Sequence, residues 1–373
     1  MLFLLMTTAS AWAEADLIIR STADRNTFAA NVSNGTDNYE GKTVILAADI
    51  SVSTMAGDDR NNFFRGTFDG CGHTLTINYT GGYAGTAPFR RIENATIKNL
   101  NVAGTITTNS GMAGSIAFVT NGITHITNCL STVTITGNNS GTDGGLVSCN
   151  NNELYFTNCA FKGKLLGTDE GFGGFVGWNN ITVVYNHCLF APSQVTMSTN
   201  GSSTFTRGSS SSTSNYNNSC YYTQSFGTVQ GFNASSMSNA ELLRVLGDGW
   251  EERDGNVVPK RPLTYLAYHT ATQSFVELSA DNPTIVGAST TTMGTADTET
   301  WYLVGSDVTI GSRITVNGTV HLILCDGATL TASKGITVNS GNSLAIYGQT
   351  AGTGALNATG ALVGGSGTER CPT

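Results

Sequence analysis

The sequence predicts an all-β fold, a right-handed parallel β-helix or β-solenoid, on three observations. A short motif recurs at an almost constant step. Ile126-Thr127-Asn128-Cys129, Phe156-Thr157-Asn158-Cys159 and Tyr185-Asn186-His187-Cys188 follow Ile97-Lys98-Asn99-Leu100, so Leu100, Cys129, Cys159 and Cys188 stand 29, 30 and 29 residues apart. Gly114, Gly144 and Gly173 form a second ladder with steps of 30 and 29, and two markers sharing one period define a true repeat. Around the markers apolar residues alternate, as in Leu100, Val102 and Ile106, or Cys159, Phe161 and Leu165, the period of a strand with one buried face. A unit that buries its face only by stacking on a neighbour is a solenoid coil, with equivalent side chains piled into columns.

Composition agrees. The 373 residues include 45 Gly and 6 Pro, and only 12% are charged, about half the fraction of an ordinary globular domain. The net charge of −8, from 18 basic against 26 acidic residues, argues against nucleic acid or an anionic membrane surface as partner. The length leaves room for two domains.

In chain order, residues 1–15 read as a signal peptide: Leu2 to Met6 is apolar and Ala11-Trp12-Ala13 is a small-residue cleavage signal, although a basic leading segment is missing. The expectation is a secreted or cell-surface chain, with no later stretch near the roughly 18 apolar residues that span a bilayer. Asp24 to Asn34, with Phe28 and Val32 four apart and Gly35 behind, predicts a short cap helix. Thr43-Val44-Ile45-Leu46 opens the strands, and coils run to about Cys220, with the serine-rich Ser209–Ser214 as a bulging loop. Ser238-Asn239-Ala240-Glu241 is a capping box ahead of Leu242, Leu243, Val245 and Leu246, predicting a second helix that closes the first domain.

Eight cysteines in an exported chain point first to disulfides. Three of them, Cys129, Cys159 and Cys188, share one repeat position with Leu100, which predicts instead a column of buried thiols. In-register stacking disfavours disulfide geometry, and without a C-x-x-C pair a zinc site has no support.

The segment Phe64 to Leu75, the repeats Gly144-Gly145-Leu146-Val147 and Gly173-Gly174-Phe175-Val176-Gly177, and Leu246-Gly247-Asp248-Gly249-Trp250 resemble the GLUG-motif β-helix proteins of Bacteroidales. The first copy departs from the pattern, reading Gly114-Ser115-Ile116-Ala117. The resemblance covers residues 16–265 and implies a secreted or surface, adhesin-like repeat domain; it supplies no catalytic residues. Residues 266–373 read as a second, smaller β-solenoid, truncated at its end, with short strands such as Ile314-Thr315-Val316, Leu322-Ile323-Leu324 and Ile336-Thr337-Val338 and tight turns at Asn317-Gly318 and Asp326-Gly327.

Motifs for chemistry are few. The five histidines form no H-E-x-x-H pattern, there is no G-x-S-x-G elbow, and the Asp169-Glu170 turn lacks a calcium-loop pattern. No cofactor or metal is predicted. Stacking makes residues one period apart neighbours, and on that arithmetic neither Asp143 nor Asp169 gains a carboxylate partner, so the runner-up reading, a polysaccharide lyase or glycoside hydrolase, lacks its paired acids. The expected function is therefore a non-catalytic, adhesin-like surface whose partner is a polysaccharide or surface glycoprotein. Trp178, Tyr221 and Tyr222 are the candidate aromatics for stacking on sugar rings.

Overall fold

The computed structural model describes residues 15–57, 62–81, 85–109, 112–137, 141–168, 170–216, 219–270, 273–359, 363–364 and 369–370. The segment read as a signal peptide lies, except for Ala15, outside them. The fold is an all-β solenoid of about twelve turns, divided into two compact units, residues 1–261 and 262–373.

Three parallel sheets wall the first unit. Sheet A stacks eight strands in the order Leu17–Ile19, Thr43–Leu46, Thr67–Asp69, Thr96–Lys98, Ile123–Thr127, Glu153–Thr157, Thr182–Asn186 and Thr213–Asn215. Sheet B includes Thr74–Gly81, Asn101–Thr108, Leu130–Ser131, Ala160–Phe161, Leu189–Phe190 and Tyr221–Tyr222. Sheet C comprises Phe89–Glu93, Ala117–Asn121, Val147–Asn150, Val176–Asn179 and Thr206–Gly208. Pairing is parallel and in register, so that Ile126 faces Ile97 on one side and Phe156 on the other, and each alternate residue enters one continuous core. Inside, rings pile up as columns: Phe156 on Tyr185 at 5.2 Å and Tyr185 on Tyr216 at 5.3 Å, all nearly coplanar.

The recurring Asn-Cys dipeptide is the corner between sheets A and B. Asn99, Asn128, Asn158 and His187 take φ of 53°, 54°, 51° and 52°, the left-handed conformation that asparagine tolerates best after glycine. The residue that follows turns into the core. Leu100, Cys129, Cys159, Cys188 and Cys220 are all fully buried, the cysteines as free thiols, and burial pushes the thiols of Cys129 and Cys188 well above their ordinary pKa. At the corner between sheets C and A a second polar column is enclosed: the Thr120 hydroxyl donates to Asn150 Oδ1 at 2.7 Å, and Asn150 Nδ2 donates to Asn179 Oδ1 at 2.8 Å. All three are fully buried, and each amide finds partners in its neighbouring coil, as buried polar groups require.

Helix α1 spans Thr22–Ser33, two residues earlier than the sequence indicates, because Ser21 is the N-cap and accepts from the Asp24 amide. Its Phe28 packs on Tyr39, Phe64, Phe68 and Phe89, extending the core of the first coils. Helix α2, Asn239–Leu246, has the expected capping box, but it does not close the end of the solenoid. The outward column Leu130, Ala160, Leu189 and Tyr221 of sheet B is apolar, and Leu242, Leu246 and Trp250 bury themselves on it. The helix and the antiparallel hairpin Trp250–Arg253/Asn256–Pro259 thus form a lateral strap, tied down by Trp250 Nε1 donating to the His187 carbonyl at 3.1 Å and Asn128 Nδ2 to the Lys260 carbonyl at 2.9 Å.

The second unit does not begin as a solenoid at residue 266. Leu263–His269 and Ser274–Ala280 pair antiparallel as a hairpin, two seven-residue strands close enough in sequence to pair with each other rather than with a coil. Smaller coils follow, with Ile314 beside Ile336 and Val320 beside Leu344, around a core that includes Val304, Ile314, Val316, Val320, Leu322 and Leu330.

Candidate functional site

Two surfaces of the first unit place aromatic rings among polar groups. On the outer face of sheet A, the register lines up Thr67, Thr96, His125, Tyr155, Val184 and Asn215 in one column. Lys98, Thr127, Thr157 and Asn186 stand in the next column but one, on the same face. His125 stacks on Tyr155 with centroids 5.0 Å apart and planes 21° from parallel. The Tyr155 hydroxyl donates to Glu153 Oε2 at 2.8 Å, and that bond raises the Tyr155 pKa. Strict parallel register keeps equivalent side chains of successive coils side by side on this face. It offers ring surface, hydroxyls and amides, the groups that sugar recognition uses.

The second surface is a groove of about 490 Å³ whose walls include Thr142, Glu170, Gly171, Trp178, Asn200 and Arg207. A bulge builds it. Sheet C pairs Val176 with Thr206 and Asn179 with Gly208, so Gly177 and Trp178 oppose Arg207 alone, an irregularity of the kind that redirects side chains beside functional sites. Arg207 lies over the Trp178 ring, 4.8 Å from its centroid. Its Nη1 donates to the carbonyls of Gly141 and Gly171 at 2.7 and 2.8 Å. Burial lowers the Arg207 pKa from its ordinary value. Gly171 has a φ of +71°, which favours glycine, and a Cβ there would stand 2.7 Å from the guanidinium carbon and press on the end of the arginine. Opposite, Asn200 Nδ2 donates to Glu170 Oε2 at 3.1 Å.

Of the aromatics singled out from sequence, Trp178 alone lies in this groove. It is half-buried, and its indole N–H donates to Asn180 Oδ1 at 2.8 Å. Tyr222 must be withdrawn as a stacking platform: it points into the core and is 9% exposed. Tyr221 faces outward but packs on Phe232 at 5.7 Å and against the apolar residues beneath the strap, so its ring is partly covered by protein. The two tyrosines are adjacent on a strand, and alternation sends one inward and the other under the strap. Gly114, Gly144 and Gly173 bridge one another in parallel, continuing to Ser203. Sequence reasoning missed the His125–Tyr155 stack and Arg207. The first was within reach, since 155 is one period beyond 125; the second depends on a bulge that no pattern announces.

Among the described residues no group of three or more His, Cys, Asp and Glu is placed to hold a metal ion, and the groove carries one carboxylate, Glu170, and one guanidinium, Arg207. Asp169 lies outside the described residues. Asp143 is buried and accepts from the Ala113 amide at 2.5 Å, holding a turn one coil away.

No protein-family model matches the chain, and no curated protein matches it. Among solved structures, a chain from Bacteroides ovatus described as a candidate immunoglobulin A1 protease is similar, with 18% identity and a TM-score of 0.41 over 65% of this chain and 91% of that one.

Proposed function

We propose that this chain is a non-catalytic, adhesin-like β-solenoid of the cell surface or the exterior, related to the GLUG-motif proteins, which uses its rigid flank to bind polysaccharide or surface glycoprotein. The observation that carries the reading is the outer face of sheet A, where the stacked rings of His125 and Tyr155 sit in a field of threonine, asparagine and lysine side chains. A sugar ring gains by covering an exposed aromatic face, and hydroxyl and amide groups repeating at the strand spacing of about 4.8 Å suit a repeating ligand. Local coil-on-coil contacts keep that face rigid, which lowers the ordering cost of binding.

A glycan-array screen of the purified chain with product analysis tests this. Retention of at least one glycan class is expected, with Tyr155→Ala weakening it about tenfold, the worth of one ring contact. Absence of retention overturns the binding reading, and release of shortened or unsaturated sugars overturns the non-catalytic one in favour of a lyase or hydrolase.

A further inference from the structure

We infer that the Trp178–Arg207 groove is a separate subsite for the carboxylate of an acidic sugar, a uronate or a sialate. The sugar part of this inference rests on the glycan-binding reading; the carboxylate part rests on the groove itself.

Arg207 is held in place before any ligand arrives. Two backbone carbonyls, from successive coils, fix Nη1, the guanidinium lies over the Trp178 ring, and Gly171, at φ of +71°, carries no side chain to press on it. Among the described residues no acid forms an ion pair with it: Glu170 shares the groove but is bonded through Asn200 instead. Among the described residues the bonds of Arg207 all run through Nη1, which leaves Nε and Nη2 as a fork of donors with no acceptor there. A half-desolvated guanidinium with unused donors favours a planar anion that can bind two N–H groups at once, and a carboxylate is the matching shape. Phosphate and sulfate share the charge but make no use of the rest of the groove. The partly exposed indole presents ring surface, while the free oxygen of Glu170 and the amide of Asn200 can bond hydroxyls. A volume of about 490 Å³ falls in the range of small-ligand sites. The molecule as a whole is acidic, at −8, so a cation in a concave site with no ion-pair partner among the described residues marks a place for an anion rather than a share of general surface charge.

Calorimetric titration of the full chain tests the inference with hexagalacturonate against its fully methyl-esterified form, and with 3′-sialyllactose against lactose. Each pair differs in the carboxylate, or in the sugar that carries it. At least one acidic probe is expected to bind tenfold or more tighter than its neutral partner, and the arm that does so tells uronate from sialate. Arg207→Gln should abolish that preference. Because this variant also loosens the loops at Gly141 and Gly171, Glu170→Gln provides the opposite sign: removing the like charge should raise the preference for the acidic over the neutral partner several-fold. Equal binding of acidic and neutral partners, or an acidic preference indifferent to both substitutions, overturns the inference and leaves the sheet A reading standing. No binding of any of the four probes also overturns it, while the array with Tyr155→Ala decides the broader reading independently.

Discussion

His321 of the second unit is buried among aromatic rings. Its ring stacks on Trp301 at 4.2 Å, Nδ1 lies 3.0 Å from the Tyr347 hydroxyl and Nε2 lies 3.2 Å from Glu299 Oε1. Tyr265 completes the cluster, packing on both Trp301 and Tyr347 at 4.8 Å. Only 3% of His321 is exposed. Burial lowers its pKa; the Glu299 carboxylate pulls the other way, and burial is the larger effect. The unfolded chain therefore binds the proton more readily than the folded one. The stability that neutral His321 supplies is complete above the ordinary histidine value of about 6.5 and declines as pH falls from there towards the lower folded-state value. Amide exchange over Thr319–Leu324, corrected for the intrinsic effect of pH, should consequently speed up between pH 7.5 and 5.5. His321→Gln, which keeps a polar group without a proton to gain, should flatten that dependence; an unchanged pH response in the variant would place its source elsewhere.

At the scale of single elements, the glycine bridges and the lateral strap explain what the sequence disclosed and what it hid. Gly173 is needed for space: a Cβ there would meet the Val176 carbonyl oxygen at 1.8 Å. Gly255, with φ of +72°, has nothing within 4 Å of the same position. Gly173→Ala should cost at least about 3 kcal/mol, the upper end of overpacking, since backbone must move, whereas Gly255→Ala should cost about 1 kcal/mol of left-handed strain; urea unfolding of both variants measures the difference. The Gly114, Gly144 and Gly173 ladder and the Asn-Cys corner were legible because stacking repeats one local constraint in every coil, and the repeat prints that constraint at a fixed interval. Nothing repeats in the strap. Ser238 to Glu241 announces a helix, but where α2 docks depends on the outward column Leu130, Ala160 and Leu189, whose apolar character shows only once register is known. The same gap misplaced Tyr221 and Tyr222, because alternation gives two faces without saying which is covered. Arg207 was hidden for a further reason: the bulge at Gly177 and Trp178, opposite Arg207, breaks the period, and a position off the period has no equivalent in the neighbouring coils to mark it.

For the whole molecule, the decisive property is that a solenoid's order is one-dimensional. Each coil of the first unit contacts the coils before and after it, and the strap adds a second set of contacts along the flank. A coil can then be removed without altering the logic of the rest, provided the cut respects the period. Deleting residues 100–128 joins Asn99 to Cys129 and so restores the corner that Asn128 and Cys129 make, with Asn99 already in the left-handed conformation at φ of 53°. Strand Thr96–Lys98 would meet Glu153–Thr157, and Thr74–Gly81 would meet Leu130–Ser131 and Thr134–Gly137, each in its own sheet. Asn99 would also inherit the Asn128 bond to the Lys260 carbonyl, so the strap could still dock. This variant should keep a β-rich circular dichroism spectrum and a cooperative, weaker unfolding transition. Removing residues 115–128 alone takes the sheet C and sheet A strands of one coil and leaves its sheet B strands. That coil can no longer reach around the core, and the neighbours on either side face a gap instead of a partner. The shorter deletion should therefore be the more damaging one, losing cooperative unfolding altogether. The reverse order, with the half-coil deletion better tolerated than the full coil, would mean that the first unit folds as an ordinary globular core rather than as a stack.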